Sequence, residues 1–426
     1  MLGFKGYLYN TLWMMSRPLL RLAVAFIVGI FVVRYLGPAR FGQLSFAESF
    51  VRLFVPLMAL GVDPVLVKHL VSEPERHHSM LGTTVVLKMA GFIVMMICIT
   101  VAVRFTSSDI VTQRMIFIIA LAIGFFPFFQ VAEQHFQSLV KAKFSAIPEN
   151  AAVIFSATLK AFFVCIRLSV VWFAIAIFLE SMVRFIALLI TYVKQIGGMA
   201  AWRFDGAYAR TLIQESWPMF FSVISGVIYL RIDQVMIKEM MGNEALGYYA
   251  AAVRLSELWY FIPSTLAMSL FPAIVEAKSR DFSVFYKRMH SFYALLFWIA
   301  ITITVPMTFL STHIVTILFG VAYESAGAVL RVHIWAAVFV FLRTASTRWI
   351  LAEGRTRKIL YMSGGGLCIN LLLNFLLIPR LGIIGAAIAT LMAELYTGLL
   401  YDAIDPDMRQ SFLMKLKVWT PFWRIV

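Results

Sequence analysis

The sequence predicts an all-α membrane protein in which twelve transmembrane helices form two pseudo-symmetric six-helix lobes around a central cavity. Hydrophobic residues make up 61% of the 426 residues and charged residues only 14%, whereas soluble proteins carry about 25% charged residues. Apolar runs long enough to cross a bilayer of about 30 Å recur along the chain. Two glycine-containing turns also repeat half a chain apart. The mean hydropathy of +0.86 agrees with a chain that lies mostly in lipid.

Twelve apolar runs account for nearly the whole chain. Each is long enough to cross the bilayer at a helical rise of about 1.5 Å per residue. Around Arg167, Leu168 and Ser169 there is only a short break between the fifth and sixth runs. The predicted helices span residues 12–35, 43–62, 80–103, 113–139, 149–166, 169–193, 211–237, 246–274, 289–310, 326–347, 358–378 and 382–402.

Basic residues predict the topology, because cytoplasmic loops collect Lys and Arg. Twenty basic loop residues fall on one side of the membrane and seven on the other. Both termini are therefore predicted to be cytoplasmic. On a soluble protein the net charge of +15 would suggest nucleic-acid binding, but this chain offers no soluble basic face for it.

An internal repeat predicts the domain organisation. LGPARFGQL at residues 36–44 matches MGNEALGYY at residues 241–249, which aligns Gly37 with Gly242 and Gly42 with Gly247. An offset of six helices preserves orientation, so the halves are parallel repeats with a site expected between them. We predict an N-terminal lobe over residues 1–205, a C-terminal lobe over residues 206–405 and a basic amphipathic cytoplasmic tail over residues 406–426.

Two arginines inside the first apolar run are the main functional signal. Arg17 and Arg21 lie four residues apart and so share one face of a helix. An arginine at the bilayer centre costs about 2.5 to 3.5 kcal/mol on insertion scales. The run contains no carboxylate, so their partner is another helix, a water-filled cavity or an anionic ligand. The alternative is that both side chains snorkel to the cytoplasmic head groups.

Further charges fall in the other apolar runs. Glu48 and Arg52 at i, i+4 either neutralise each other or join the same site as Arg17. Asp233 ends a polar stripe with Ser222, Ser225 and Tyr229, which suits a wet cavity better than lipid. Glu180 and Arg184 are interpreted as a structural pair with nothing else polar around it.

These positions predict a central cavity with a cationic bias. Its predicted substrate-binding residues are Arg17, Arg21, Arg52 and Arg254. Its candidates for a coupling ion are Asp233, Glu257 and Glu48. A cationic cavity selects an anionic cargo, and the planar fork of arginine suits phosphate or pyrophosphate oxygens.

Catalytic and metal motifs are missing from the sequence. It contains no GxGxxG, P-loop or HExxH motif and no nucleophile elbow, and its seven histidines form no ligand pattern. No loop is long enough to house a catalytic domain. The chain is therefore predicted not to be an enzyme and to need no metal or other cofactor, apart from coupling to a proton or sodium gradient.

Several stretches resemble the polysaccharide-transporter branch of the multidrug/oligosaccharidyl-lipid/polysaccharide exporter superfamily, the flippases of O-antigen and related repeat units. They begin at residues 32, 136, 229, 269 and 374, and read VVRYLGPARFGQLSFAESF, FQSLVKAKFSAIPEN, YLRIDQVMIKEMMGNEALGYYAAAVRLSELWYFIP, SLFPAIVEAK and NFLLIPRLGIIGAAIAT. The resemblance implies alternating access by two lobes. It also implies a cargo of oligosaccharide on undecaprenyl pyrophosphate, moved to the outer leaflet of a bacterial inner membrane for O-antigen, capsule or exopolysaccharide synthesis.

The resemblance also bears on the site and the partners. The related lipid II flippase branch carries essential arginines on helices 1, 2 and 8, the helices that hold Arg17, Arg21, Arg52 and Arg254 here. A glycan polymerase and a chain-length regulator of the same pathway are the implied protein partners. Two alternatives stay open: a cation-coupled drug exporter of the same superfamily, and a membrane-embedded glycan polymerase or ligase.

Overall fold

The protein is α-helical throughout the part that the computed structural model describes, residues 4–355 and 357–418. No β-strand occurs in this part of the chain, which confirms the predicted all-α fold. The helices are α1 Phe4–Ala59, α2 Asp63–Ser72, α3 His77–Val103, α4 Ile110–Ile123, α5 Phe126–Ser138, α6 Lys143–Cys165, α7 Val170–Ile196, α8 Gly206–Met241, α9 Asn243–Glu257, α10 Phe261–Arg280, α11 Phe282–Phe319, α12 Glu324–His333, α13 Ala336–Ala352, α14 Arg357–Leu381, α15 Ile383–Leu395, α16 Tyr401–Ile404 and α17 Arg409–Leu416.

Helix length and composition agree with a multi-pass membrane protein. Within the described residues, nine helical segments are long and apolar enough to cross a membrane, or ten if the bent pair Val321–His333 and Ala336–Ala352 is one span. One of the nine, Leu12–Ser72, contains 61 residues, about three times the length that one crossing needs. It holds two of the predicted spans, divided at Gly37. The count is consistent with twelve crossings.

The described chain divides into two compact units. The first runs to Leu36 and continues from Gln43 to Val227, and the second contains Gly37–Gly42 and continues from Ile228. The lobes predicted from the repeat, residues 1–205 and 206–405, stay a prediction.

The two repeated turns of the sequence adopt the same backbone conformation. Gly37 interrupts α1 with φ 68° and ψ 170°, and Gly242 precedes α9 with φ 88° and ψ −179°. This region of conformational space is accessible essentially only to glycine. The second glycine of each turn brings the backbones together: a Cβ on Gly247 would lie 2.6 Å from the carbonyl carbon of Pro38.

The close approach at Gly247 predicts a loss of stability on substitution. Gly247→Ala forces two backbones apart, so we expect destabilisation of about 1 to 3 kcal/mol, as for other overpacked positions. The measurement is the melting midpoint of the purified protein in detergent. Gly226→Ala is the matched control, because the space around Gly226 is open within 4 Å and alanine favours a helix over glycine. An equal loss in both variants would contradict the contact.

The C-terminal helix α17 packs onto the second unit. Met408, Met414 and Val418 belong to that unit's hydrophobic core, and the side chains of Lys415 and Asp402 form an ion pair of 2.7 Å with no exposed surface. Residues 406–418 of the predicted tail are thus held against the unit. The remaining residues of that tail, 419–426, which carry the aromatic residues Trp419, Phe422 and Trp423, lie outside the described part of the chain.

Candidate functional site

Seven charged side chains from four helices of the first unit form one connected network, which we call the ion cluster. Helices α1, α5, α6 and α7 each contribute at least one member, so the network lies between helices rather than along one. The ion cluster consists of Arg17, Arg21, Glu133, Glu149, Lys160, Glu180 and Arg184.

Glu149 on α6 is the centre of the ion cluster. Its Oε2 atom accepts a 2.5 Å hydrogen bond from Nε of Arg17 and a 3.1 Å bond from Nη2 of Arg184. Its Oε1 atom lies 3.4 Å from Nη2 of Arg21. Three guanidinium groups therefore share one carboxylate, whose side chain is only 8% exposed.

Glu133 and Glu180 extend the ion cluster on either side. Glu133 on α5 pairs with Arg17 and accepts a 3.2 Å hydrogen bond from Nη2 of Arg184. Glu180 on α7 lies 3.2 Å from Nη1 of Arg21 and 3.7 Å from Nζ of Lys160. Arg17 and Arg21 are thus each held by two carboxylates from different helices.

Three contacts align α1 with α6, one on α6 itself and one just beyond each of its ends. Asn10 accepts a hydrogen bond of 2.7 Å from the backbone N–H of Ala142, and Asn150 donates one of 3.2 Å to Ser16. Nearer the break in α1, the Tyr35 hydroxyl donates to the carbonyl of Leu168 at 2.8 Å. Because a helix is stiff, these contacts fix the position of α1 along its axis, and so bring its arginines level with Glu149.

Aromatic packing fixes α5 against α7. Phe129, Phe136, Leu188 and Tyr192 form a buried core between the two helices. The guanidinium of Arg184 lies over the Phe129 ring, 4.1 Å from its centroid, a cation–π contact that holds its planar face. The donors of Arg184 are therefore directed at the two carboxylates.

The ion cluster carries excess positive charge and has one accessible member. Four cations face three carboxylates, so its formal charge is positive by one. Arg21 is 46% exposed, against 21% for Arg17. Arg21 is therefore the most exposed member of the ion cluster. Desolvating a charged side chain costs several kcal/mol per ion even when the ion is paired. Charged residues within membrane spans therefore indicate a functional site.

Of the three kinds of partner predicted for Arg17 and Arg21, the structure supplies carboxylates from other helices. The ion cluster as defined above does not include the other two predicted substrate-binding residues. Arg52 is exposed on α1 beyond the break at Gly37, and Arg254 is half-buried on α9 in the second unit. Their assignment to one substrate site with Arg17 and Arg21 remains a prediction.

The interpretation of Glu180 and Arg184 as an isolated structural pair is wrong. Arg184 bonds to Glu133 and Glu149, and Glu180 contacts Arg21 and Lys160. The pattern within one helix showed only the i, i+4 spacing. The true partners come from other helices, which a single apolar run does not reveal.

The candidates for a coupling ion are spread over both units. Asp233 is 4% exposed and accepts a hydrogen bond from the hydroxyl of Tyr249, so it is buried among its neighbours rather than open to water. Glu257 lies 3.4 Å from Nη2 of Arg231, and Glu48 is half-buried on α1. Their role in coupling remains a prediction.

Glu133 and Glu149 are not among the site residues predicted from the sequence. Both fall in or beside apolar runs, where a carboxylate needs a partner as much as an arginine does. Counting acidic residues in the runs alongside the basic ones would have identified both as candidates.

In the described part of the chain, no three His, Cys, Asp or Glu side chains are grouped to hold a metal ion.

The second unit contains a simpler ion pair with reversed polarity. Nε of Arg343 on α13 donates to Oε2 of Glu394 on α15 at 3.0 Å, and its Nη2 donates to Oε1 at 3.3 Å. In the order of the predicted repeat, α13 and α15 would correspond to α5 and α7, which carry Glu133 and Arg184.

Comparisons with known proteins agree with this architecture. The family described as polysaccharide biosynthesis protein matches residues 7–278, which is more than half of the chain, and the family described as MatE matches residues 218–376. A Shigella flexneri protein named "Putative O-antigen transporter" is 21% identical over 386 residues, 84% of this chain and 88% of that protein. An uncharacterized membrane protein of Methanocaldococcus jannaschii is 30% identical over 199 residues, 43% of this chain but only 37% of that relative's length.

Solved structures share the fold at low sequence identity. The lipid II flippase MurJ in an inward closed conformation superposes with a TM-score of 0.73 at 16% identity, over 98% of this chain and 92% of that chain. An inward-facing multidrug resistance MATE family transporter of the MOP superfamily gives 0.71 at 12% identity, over 97% and 98%.

The fold is that of a multi-pass membrane protein, and it is shared with the solved flippase and transporter structures. Within that class, the chain belongs to the polysaccharide biosynthesis protein family.

Proposed function

We propose that the protein is a flippase that moves oligosaccharide repeat units linked to undecaprenyl pyrophosphate across the bacterial inner membrane, by alternating access and with both termini in the cytoplasm. The product would supply O-antigen, capsule or exopolysaccharide synthesis, with a glycan polymerase and a chain-length regulator acting next. The observation that carries the proposal is the ion cluster, a site with excess positive charge inside a membrane protein of the polysaccharide biosynthesis family.

The chemistry of the ion cluster matches a pyrophosphate head group. Arg17 and Arg21 each present planar donors that bind phosphate oxygens in pairs. Lys160 and Arg184 are the other two cations of the ion cluster, and they keep its formal charge positive. We assign Arg17 and Arg21 to the pyrophosphate and, as further members of the substrate site, Arg52 and Arg254. Asp233, Glu257 and Glu48 stay our candidates for binding a coupling proton or sodium ion.

The cargo named for one relative supports this choice over drug export. The Shigella flexneri relative matches along 84% of the chain and is named for O-antigen transport, whereas the MatE match covers residues 218–376 only. A drug exporter for organic cations also needs acids in excess at its site, and the ion cluster has the opposite balance.

The experiment is translocation in proteoliposomes. The purified protein is reconstituted with a fluorescent lipid-linked oligosaccharide, and the fraction exposed to an external glycosidase is followed over time. We expect exposure at least tenfold faster than in empty vesicles, and a further change in rate when a proton or sodium gradient is imposed. A matched lipid that carries the same glycan on an uncharged linker is the control and should not move.

Two outcomes would overturn the proposal. Equal translocation of the uncharged lipid would show that the protein does not recognise the pyrophosphate. Transport of ethidium by the same vesicles, without movement of the lipid-linked glycan, would establish the drug-exporter alternative instead.

A further inference from the structure

We propose that Glu149, together with Glu133, is an internal counter-anion that the pyrophosphate of the cargo displaces, and that this displacement makes cargo binding take up one proton. The inference rests on the proposed function, because it concerns the regulation of the same site. It explains why a site for an anion contains three carboxylates of its own.

The contacts of Glu149 are those that a phosphate group would make. One oxygen atom accepts from Arg17 at 2.5 Å and from Arg184 at 3.1 Å, and the other lies 3.4 Å from Arg21. A carboxylate and a phosphate present similar pairs of oxygens to a guanidinium fork. In the structure the carboxylate therefore occupies the donors that the cargo needs.

Displacement leaves the remaining groups short of one positive charge. If the pyrophosphate takes Arg17 and Arg21, the three carboxylates keep only two cations. Glu180 retains Lys160, 3.7 Å away. Glu133 and Glu149 must then share Arg184, whose Nη2 atom lies 3.2 Å from one and 3.1 Å from the other.

Two carboxylates that share one cation behave as a coupled pair, of which one member binds a proton. Like charges at close range in a poorly hydrated site raise the affinity of one member for a proton. Glu149 is 8% exposed and Glu133 18%, so water compensates neither fully. A hydronium ion or a buffer acid gives up the proton, so one carboxyl O–H bond forms while the donor's bond to that proton breaks.

The overall charge of the ion cluster also predicts the uptake of one proton. Its formal charge is positive by one before binding, and a pyrophosphate diester brings two negative charges. Adding one proton returns the total to zero, the state of lowest cost in a medium of low dielectric constant. Among the described residues, this count includes the three arginines that contact Glu149, Arg17 and Arg21 from α1 and Arg184 from α7. It also includes the other charged members of the ion cluster, Glu133 from α5, Lys160 from α6 and Glu180 from α7.

The test is calorimetric titration of the full-length protein in detergent with farnesyl pyrophosphoryl-N-acetylglucosamine, a pyrophosphate diester that does not titrate near neutral pH. Repeating the titration in buffers with different heats of ionisation gives the number of protons taken up. We expect about one proton for the wild type. Glu149→Gln should take up about none and bind about tenfold more tightly, because a neutral amide does not compete for Arg17 and Arg21.

Glu394→Gln is the matched control, since it removes the buried carboxylate of the ion pair on the corresponding helices of the second unit. Its proton uptake and affinity should equal those of the wild type. If Glu149→Gln is not recovered folded, Glu133→Gln, which removes the other carboxylate on Arg184, is expected to abolish proton uptake equally.

Binding without proton uptake in the wild type, undiminished uptake in the glutamine variants, weaker binding by folded Glu149→Gln, or no binding by the wild type would each overturn the inference. Failure of the proposed function looks different. A protein that binds the probe and takes up a proton, but does not translocate lipid-linked glycan in vesicles, contradicts transport and leaves the counter-anion role intact.

Discussion

Export of surface polysaccharide is expected to fall by about ten- to hundredfold when Arg17 is replaced by alanine in a host that depends on this protein. A hydrogen bond to a charged group contributes about 1.5 to 3 kcal/mol, and each 1.4 kcal/mol is a factor of about ten in binding. Lipid-linked repeat units should accumulate on the cytoplasmic leaflet. The measurements are surface polysaccharide per cell and the amount of lipid-linked intermediate, normalised to protein level in the membrane.

Further variants distinguish the contribution of the planar guanidinium group from that of positive charge alone. Arg17→Lys keeps the positive charge but loses the planar fork, so an intermediate level of export is expected. Arg21→Ala should act like Arg17→Ala, because Arg21 is the most exposed of the cluster's arginines. Arg114→Ala, on α4 of the same unit, changes an exposed arginine outside the ion cluster and should leave export normal. Normal export in Arg17→Ala at normal protein level would remove Arg17 from the site.

Loss of Lys415 is expected to be the most destabilising single change in the second unit. Its ammonium group pairs with Asp402 at 2.7 Å and donates to the carbonyl of Gly398 at 2.5 Å, with no exposed surface on either charged side chain. Removing one partner of a buried ion pair costs about 3 to 5 kcal/mol, because the other charge stays buried. Lys415→Met should therefore lower the melting midpoint by about 3 to 10 °C.

The double variant distinguishes an unpaired charge from lost packing. Lys415→Met with Asp402→Asn removes both charges, so most of the lost stability should return. The amide introduced by Asp402→Asn can still accept from Ser411, which donates to Asp402 at 2.6 Å in the wild type. Arg409→Met, at an exposed position of the same helix, is the control and should leave the midpoint unchanged. A double variant no more stable than Lys415→Met would contradict the ion pair as the cause.

Several features of the fold could be predicted from single apolar runs and from the repeat. The helices follow from hydropathy alone, because any lipid-exposed backbone must satisfy its own hydrogen bonds. The turns at Gly37 and Gly242 follow from the repeat, and both adopt a conformation that requires glycine. The inward position of Arg17 follows from the cost of exposing it to lipid.

The partners of these residues could not be predicted in the same way. Arg17 and Glu149 are separated by 132 positions, and nothing in either run indicates how α1 is aligned with α6. That alignment depends on contacts such as Asn10 with Ala142 and Tyr35 with Leu168, which are visible only after folding. Hydropathy likewise does not show that Lys415 is buried, because its partner Asp402 lies on another short helix.

The central claim, that the ion cluster binds the phosphate groups of a lipid-linked glycan, is tested most directly by photo-affinity labelling. The probe is a polyprenyl pyrophosphoryl sugar with a diazirine beside the pyrophosphate, and labelled peptides are mapped by mass spectrometry. We predict labelling of the peptides that contain Arg17 and Glu149, competed by unlabelled lipid-linked glycan and lost in Arg17→Ala. Labelling that spares both peptides, or that persists unchanged in Arg17→Ala, would contradict the account.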